Sequence, residues 1–428
     1  MTLHTGFFLL LLLSSISFFL LNVRRLVGTL AIGKPDNRTE KPLDRVKNVL
    51  VVAFGQTKLL REPLAGLMHF FIFWGFVILL LAILETAGEG ISPGFNLSFL
   101  GPFYPPLLFL EDLLGLLVAA SVLFALFRRY VLKPKRLDVG GHSRMDATII
   151  LMLILLIMCA MFGQNAANLA RGGAPAAASR FVSQSIGALC FSGCSREQLA
   201  GWFSFFWWAH IVLVLGFLNY LPYSKHLHIL SSIPNVYLAK LGARGTLRPL
   251  NLQDEQAVKF GVSDVEDLTW KQLLDGYTCT ECGRCTAACP AAATGKPLSP
   301  KKIIVDIRRR LVEKAAGGPE TQGPARPESG EKRLLDQYIT EDELWACTTC
   351  MACVQECPVQ IEHVDAIVDM RRYLVLSESR FPKELQATFQ NLERNYTPWG
   401  FSHSTRADWA NGLEIPLIAD RPNAEVLF

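Results

Sequence analysis

Five apolar stretches, near residues 5–27, 64–86, 105–127, 146–168 and 202–224, each reach the roughly 20 residues that a helix needs to cross a bilayer. They make the first 230 residues a predicted five-helix membrane bundle. Half of the 428 residues are hydrophobic and the mean hydropathy is +0.27. That excess sits in the first 230 residues, so two regions of different class are joined in one chain. The first stretch lacks the basic start of a signal peptide. Its Arg24 and Arg25 follow the apolar run instead, which suits an uncleaved anchor with its N-terminus outside. Basic loops then set the orientation. The loop after span one carries Arg24, Arg25, Lys34, Arg38, Lys41, Arg45, Lys47, Lys58 and Arg61. The loop after span three carries Arg128, Arg129, Lys133, Lys135, Arg136 and Arg144, and the segment after span five carries Lys225, Lys240 and Arg244. The loop between spans two and three has Glu85 and Glu89 and no basic residue; that at 169–201 is rich in Gly, Ala and Ser with three arginines. The expected location is the inner (cytoplasmic) membrane, multi-pass, with everything after span five in the cytoplasm. A net charge of +4 gives no reason to invoke nucleic acid.

Eight of the eleven cysteines repeat one spacing. Cys279, Cys282, Cys285 and Cys289 precede Pro290; Cys347, Cys350, Cys353 and Cys357 precede Pro358. Both read C-x2-C-x2-C-x3-C-P, the run that holds [4Fe–4S] cubes in bacterial ferredoxins, where the fourth cysteine ligates the other cube. The first cube is therefore assigned to Cys279, Cys282, Cys285 and Cys357, and the second to Cys347, Cys350, Cys353 and Cys289. The competing reading is a pair of structural zinc sites. Those pair two CxxC units and do not need the third cysteine, the x3 step or the proline twice over. Eight thiolate ligands call for a reducing compartment, in agreement with the orientation.

Imidazoles inside membrane spans default to a functional reading. His69 lies near the inner start of span two, His210 early in span five, and His228 at its close. His210 and His228 are eighteen residues apart, five full turns, so they share a face about 27 Å apart along the axis. His226 points elsewhere. His69 and His228 stand at matching depth on separate helices and are read as axial ligands of one haem b. His210, near the outer face, has no histidine partner: the position ten residues beyond His69 is Leu79. It is read as a packing residue, a quinone contact, or a ligand to a second haem.

These residues carry a resemblance. The five spans resemble the haem-b subunit of respiratory nitrate reductases, on His69 and the eighteen-residue pair ending in PYSKHLH. That family has two histidines on span two and two haems; Leu79 departs from it. Residues 270–375 are similar to the helical dicluster ferredoxin module of heterodisulfide reductases and succinate dehydrogenases. Nearly the whole chain looks like the fused membrane oxidoreductases related to heterodisulfide reductase, through LSPKKIIVDIRRRL, LWACTTCMACVQECPVQIEHVDAIVDMRRYL and NYTPWGFSHSTRADWA. The resemblance implies electron transfer from a cytosolic donor, such as reduced electron-transfer flavoprotein, to menaquinone. In that family two CCG domains follow; no CCG motif is present here, and they are expected on a partner chain or lost by truncation.

The expected fold is all-α: a bundle over 1–230, a connector over 231–268, a ferredoxin-type domain over 269–380 with a mobile loop at 314–332, and a tail over 381–428. Residues 299–312 have apolar positions at helical spacing, an amphipathic helix whose basic face is solvated or docks an acidic donor. His363 is expected at the surface or behind a ligand, Trp399 and Trp409 packing the tail, and Cys159 packing within span four. Cys190 and Cys194 form either a tight disulfide or a helical pair. The function read from all this is that of an oxidoreductase passing electrons through two cubes and a haem to quinone. The alternatives are a non-catalytic electron-transfer subunit whose CCG part is a separate chain, and a membrane redox sensor.

Overall fold

A computed structural model describes residues 3–137, 141–173, 177–243, 245–316 and 332–423. Among them the chain is helical, with isolated bridges at Lys34–Thr269 and Leu335–Ile339 and no strand. The helices are α1 (Leu3–Leu30), α2 (Pro42–Asn48), α3 (Pro63–Ile91), α4 (Tyr104–Phe127), α5 (Gly141–Ala170), α6 (Phe181–Cys190), α7 (Arg196–Tyr220) and α8 (His228–Tyr237). There follow α9 (Trp270–Thr278), α10 (Arg284–Ala287), α11 (Pro290–Ala293), α12 (Pro300–Ala316), α13 (Leu334–Gln337), α14 (Glu341–Trp345), α15 (Ala352–Glu356), α16 (His363–Leu376) and α17 (Glu384–Asn395). Arg244, most of the 314–332 loop and the chain end lie outside the described residues.

Among the described residues five helices are long and apolar enough to cross a membrane: Leu3–Leu30, Pro63–Ile91, Leu97–Leu132, Ser143–Ala170 and Arg196–Tyr223. Helix satisfies every backbone group within the segment, as a lipid environment demands. The bundle closes around Leu79, Val118, Val122, Ile157, Met158, Met161 and Phe162. Helices α3 and α4 meet at Gly75, where an added Cβ would stand 2.3 Å from Val118 Cγ2; small residues permit such approach between membrane helices. A second cluster of Phe8, Trp207, Ile211 and Leu215 ties α1 to α7. Phe7, Leu10 and Leu13 are exposed along α1, as residues facing lipid would be. Helix α1 starts earlier than the expected span, so it takes in His4, whose ring packs on Trp207 and Trp208 at 5.0 and 4.9 Å.

By contacts the chain divides into two compact units: Met1–Asn251 with Val262–Met370, and Leu252–Gly261 with Arg371–Phe428. The bundle and both cysteine motifs thus belong to one unit. Within it the amphipathic pattern of α12 is realised: Ile303, Ile304, Ile307 and Leu311 are fully buried and α12 packs on α9. In the other unit α17 buries no residue, and Trp399 and Trp409 are exposed instead of packing the tail.

Candidate iron–sulfur site and its membrane contact

The two motifs fold into matching loops. Glu281 and Gly283 have φ of 57° and 72°; their counterparts Thr349 and Met351 have 55° and 62°. These left-handed positions turn the backbone around the thiols, and a threonine there is a strained choice of the kind found at functional sites. Each loop runs into a short helix, α10 or α15, and these two pack on each other. The fourth cysteine of each motif is thereby carried across to the other loop. One cradle is bordered by Cys279, Cys282, Cys285 and Cys357. The other is bordered by Cys289, Cys347, Cys350 and Cys353. Backbone N–H groups of Ile361 and Thr349 donate to Cys357 Sγ and Cys347 Sγ, each at 3.4 Å.

The donor set fits a cube: each cradle offers four cysteine sulfurs, three from one loop and one from the other, the all-thiolate set of [4Fe–4S] centres. Burial pushes the Cys279 thiol up to about 11 and those of Cys353 and Cys357 to about 12. Cationic iron would favour the thiolate form of these groups, so its binding would release protons.

The first cradle lies against two loops of the bundle. From residues 56–62, Lys58 Nζ donates to Cys357 O at 3.0 Å and Val354 O at 3.3 Å. From the loop after α4, Arg136 Nη1 donates to Cys282 O at 3.4 Å. Arg284, between two ligand positions, donates to Lys58 O at 2.8 Å and pairs with Glu62 at 3.1 Å; Arg136 also pairs with Glu62. Gly283 is required here twice over, since its φ is positive and a Cβ would stand 2.4 Å from Arg136 O. The second cradle looks outward, with Thr348, Thr349 and Cys350 exposed.

Behind the first cradle is a buried ion network. Lys271 is fully buried and reaches Asp275 at 2.8 Å and Glu362 at 3.9 Å. Arg38 grips Glu362 through two 2.8 Å bonds, and Asn235 holds Asp275 at 2.9 Å. It joins the loop after span one, α8, α9 and the residues following Cys357.

His69 and His228 come within electrostatic reach of each other, and His226 of both. His69 Nδ1 pairs with Gln56 Oε1 at 3.0 Å, and His228 Nδ1 with Lys225 O at 3.2 Å. A backbone carbonyl only accepts, so His228 carries a proton on Nδ1 and can keep its Nε2 lone pair available, the usual arrangement behind a metal-bound imidazole. Gln56 is 1 % exposed, adopts φ of 47°, and its Nε2 is buried without a partner. His210 is buried and bonded through Nδ1 to Ile157 O at 3.3 Å, beside Leu79 and its neighbours at the bundle core.

Of its two expected places His363 takes the one behind the ligands: it is 1 % exposed, borders the first cradle, and is held down to about 4 by burial. Other expectations change. The basic residues of α12 are paired instead of merely solvated. Arg308 bonds Cys279 O at 3.0 Å and Glu281; Arg310 and Lys314 hold Asp264 at 2.6 and 3.2 Å. Cys159 faces outward, and Cys190 and Cys194 are unbridged. Gln56, Lys58 and Glu62 carry no motif of their own; the short polar break between the apolar run 49–54 and Pro63 is the one local signal they leave in the sequence.

Residues 278–361 match the model of a 4Fe-4S dicluster domain. The chain is 33% identical over 442 residues to the probable iron-sulfur-binding oxidoreductase FadF of Bacillus subtilis, covering 96% of this chain and 62% of that protein. It is 32% identical over 423 residues to the EtfAB:quinone oxidoreductase of Syntrophomonas wolfei, covering 93% and 58%. One of the subunits of the ferredoxin/F(420)H(2)-dependent CoB-CoM heterodisulfide reductase of Methanosarcina acetivorans is 35% identical over 118 residues, 26% of this chain and 57% of that one. No solved structure matches. The chain thus spans about three fifths of the first two relatives. Over nearly its whole length the chain is thus similar to proteins named as iron–sulfur or quinone oxidoreductases, and over its cysteine region to a heterodisulfide reductase subunit, in agreement with the cysteine cradles and the membrane helices.

Proposed function

We propose that this chain carries electrons from a cytosolic donor, such as reduced electron-transfer flavoprotein, through two [4Fe–4S] cubes and a haem b to menaquinone in the inner membrane. One observation carries the reading: the loop 56–62 touches both ends of the gap. Its Gln56 holds His69, and its Lys58, two residues on, holds the carbonyl of Cys357. The cubes and haem supply one-electron steps, and a quinone takes up two electrons with two protons.

The protein sets spacing and order. Cys279, Cys282, Cys285 and Cys357 bind the cube next to the bundle; Cys289, Cys347, Cys350 and Cys353 bind the outward one, where a donor docks against Thr348 to Cys350. His69 and His228 present Nε2 to the haem iron, with Gln56 and the Lys225 carbonyl fixing each ring. His210, its Nδ1 already engaged at the bundle core, serves packing better than a quinone or a second haem. The name of the Syntrophomonas relative, the membrane spans and the basic loops on the cluster side support the quinone, the membrane and the cytoplasmic orientation. A partner bearing CCG domains belongs to the same proposal, on the relatives named as heterodisulfide reductase subunits.

The test is a dithionite-minus-oxidised visible spectrum of the detergent-purified chain with iron and haem quantified. About eight non-haem irons and one b-type haem, lost in both His69→Ala and His228→Ala, is the expected result. The same irons without haem would leave a membrane-anchored ferredoxin and end the quinone mechanism.

A further inference from the structure

The two cradles share a backbone but not an electrostatic setting. Around the first, three ligand carbonyls each accept from a cation: Cys357 from Lys58 at 3.0 Å, Cys279 from Arg308 at 3.0 Å, and Cys282 from Arg136 at 3.4 Å. Arg284 lies within the motif and is 6 % exposed, and Lys301 borders the cradle. Two carboxylates answer them. Glu62 is shared among Arg128, Arg136 and Arg284, and Glu281 between Arg308 and Lys225. The excess is positive, and Lys58 faces the ligand carbonyls. The second cradle is bordered, besides its cysteines, by Leu298, Pro300, Thr348, Met351, Val364 and Ile367. None of these carries a charge, whereas Lys301 stands among the residues that border the first.

We propose that Lys58, with Arg136, Arg284 and Arg308, holds the first cube at a higher reduction potential than the second, so that the electron settles on the membrane side. Reducing a cube adds one negative charge, which nearby cations and hydrogen bonds to its ligands favour. Burial of Cys279, Cys285 and Cys357 opposes this, because a buried site resists added charge. The cations work against that opposition, since Arg136, Arg284 and Arg308 are themselves largely buried and so weakly screened. In the transfer one electron leaves the second cube, oxidised from its 1+ to its 2+ state, and enters the first, reduced from 2+ to 1+. No proton or further reactant is needed. The bias points from cytosol to membrane, a direction that residue spacing leaves open. It rests on the two-cube reading above and not on the haem.

The experiment is an EPR-monitored potentiometric titration of the full detergent-purified chain, beside Lys58→Gln and Lys58→Arg. Glutamine keeps a donor for the Cys357 carbonyl while removing the charge, so the loop can stay docked. Two cubes should titrate separately. Lys58→Gln should lower the higher-potential one by about tenfold in electron partition, about 59 mV for one electron, and leave the other in place; Lys58→Arg should restore it. Movement of the lower-potential cube instead, or of neither cube with full iron, overturns the assignment. Iron well short of two cubes in the unsubstituted chain would instead overturn the two-cube reading beneath it.

Discussion

The two cysteine loops are the same object in different company. Their left-handed turns fall at equivalent positions, Glu281 with Thr349 and Gly283 with Met351, and their helices pack on each other. Yet Gly283 is pressed against Arg136 of the bundle, while its counterpart Met351 borders a cradle that reaches the surface. The repeat dictates how four thiols are gathered. What the gathered site is for depends on chain from elsewhere: loops 56–62 and 128–137 on one side, solvent on the other. Under the proposed function, one site would hand electrons into the membrane and the other would receive them.

The largest effect should come from breaking the exchange between motifs. Cys357 belongs to the second motif by sequence but borders the first cradle with Cys279, Cys282 and Cys285. Cys357→Ala should remove the membrane-side cube and spare the outward one, lowering iron from about eight to about four per chain. Cys289→Ala should do the converse. EPR tells the two apart: if Cys357→Ala removed the same signal as Cys353→Ala, each motif would be serving its own cube. Next in size is the ion network that backs only the first cradle. Lys271→Met would leave Asp275 and Glu362 facing each other in a fully buried site. Breaking such a pair typically costs about 3–5 kcal/mol. The melting temperature should fall, with iron lost from the first cradle ahead of the second.

How much of this is legible in the sequence follows the range of the physics involved. The five spans and eight cysteines can be read because their signals are local: apolar length in one case, spacing in the other. The buried face of α12 is equally plain, since Ile303, Ile304, Ile307 and Leu311 follow a helical period. The loop cations show where reading stops. Arg38, Lys58 and Arg136 declare an orientation by their number, but their partners Glu362, Cys357 and Cys282 lie some 150 to 320 residues away, and no local pattern announces that. Cys159, expected to pack inward, lies on a helix apolar on every side, where periodicity cannot choose a face. The polar type of His363 leaves a surface place and one behind a ligand both open, and the cradle it borders decides between them.

A smaller effect separates the loops at their left-handed turns. Gly283→Ala puts a Cβ at φ of 72° and within 2.4 Å of the Arg136 carbonyl. The backbone strain alone is worth about 1–3 kcal/mol, and the clash falls on backbone, which cannot swing aside as a side chain can. The expected outcome is a lower melting temperature together with earlier proteolytic cutting in the loop after α4, as Arg136 loses its seat. If the melt were unchanged, the loop would not be docked against the motif as described.

The smallest effect reverses the exchange. At Met351, φ is 62°, so replacing it by glycine removes the left-handed penalty. Glycine also gives the unfolded chain more freedom to lose, a term of about 0.4–1 kcal/mol that works against the gain. Met351 further borders the second cradle and packs against a cluster of Cys285, Cys353 and Val364, so its removal lets water closer to that cube. Relief of strain and loss of packing should leave the stability of Met351→Gly within about 1 kcal/mol of the parent. The shift should appear instead in the second cube, whose potential answers to solvent exposure, while the first stays where Lys58 and its arginines hold it. A variant that moved the first potential, or melted as early as Gly283→Ala, would show the two loops to be more alike in their surroundings than the structure makes them.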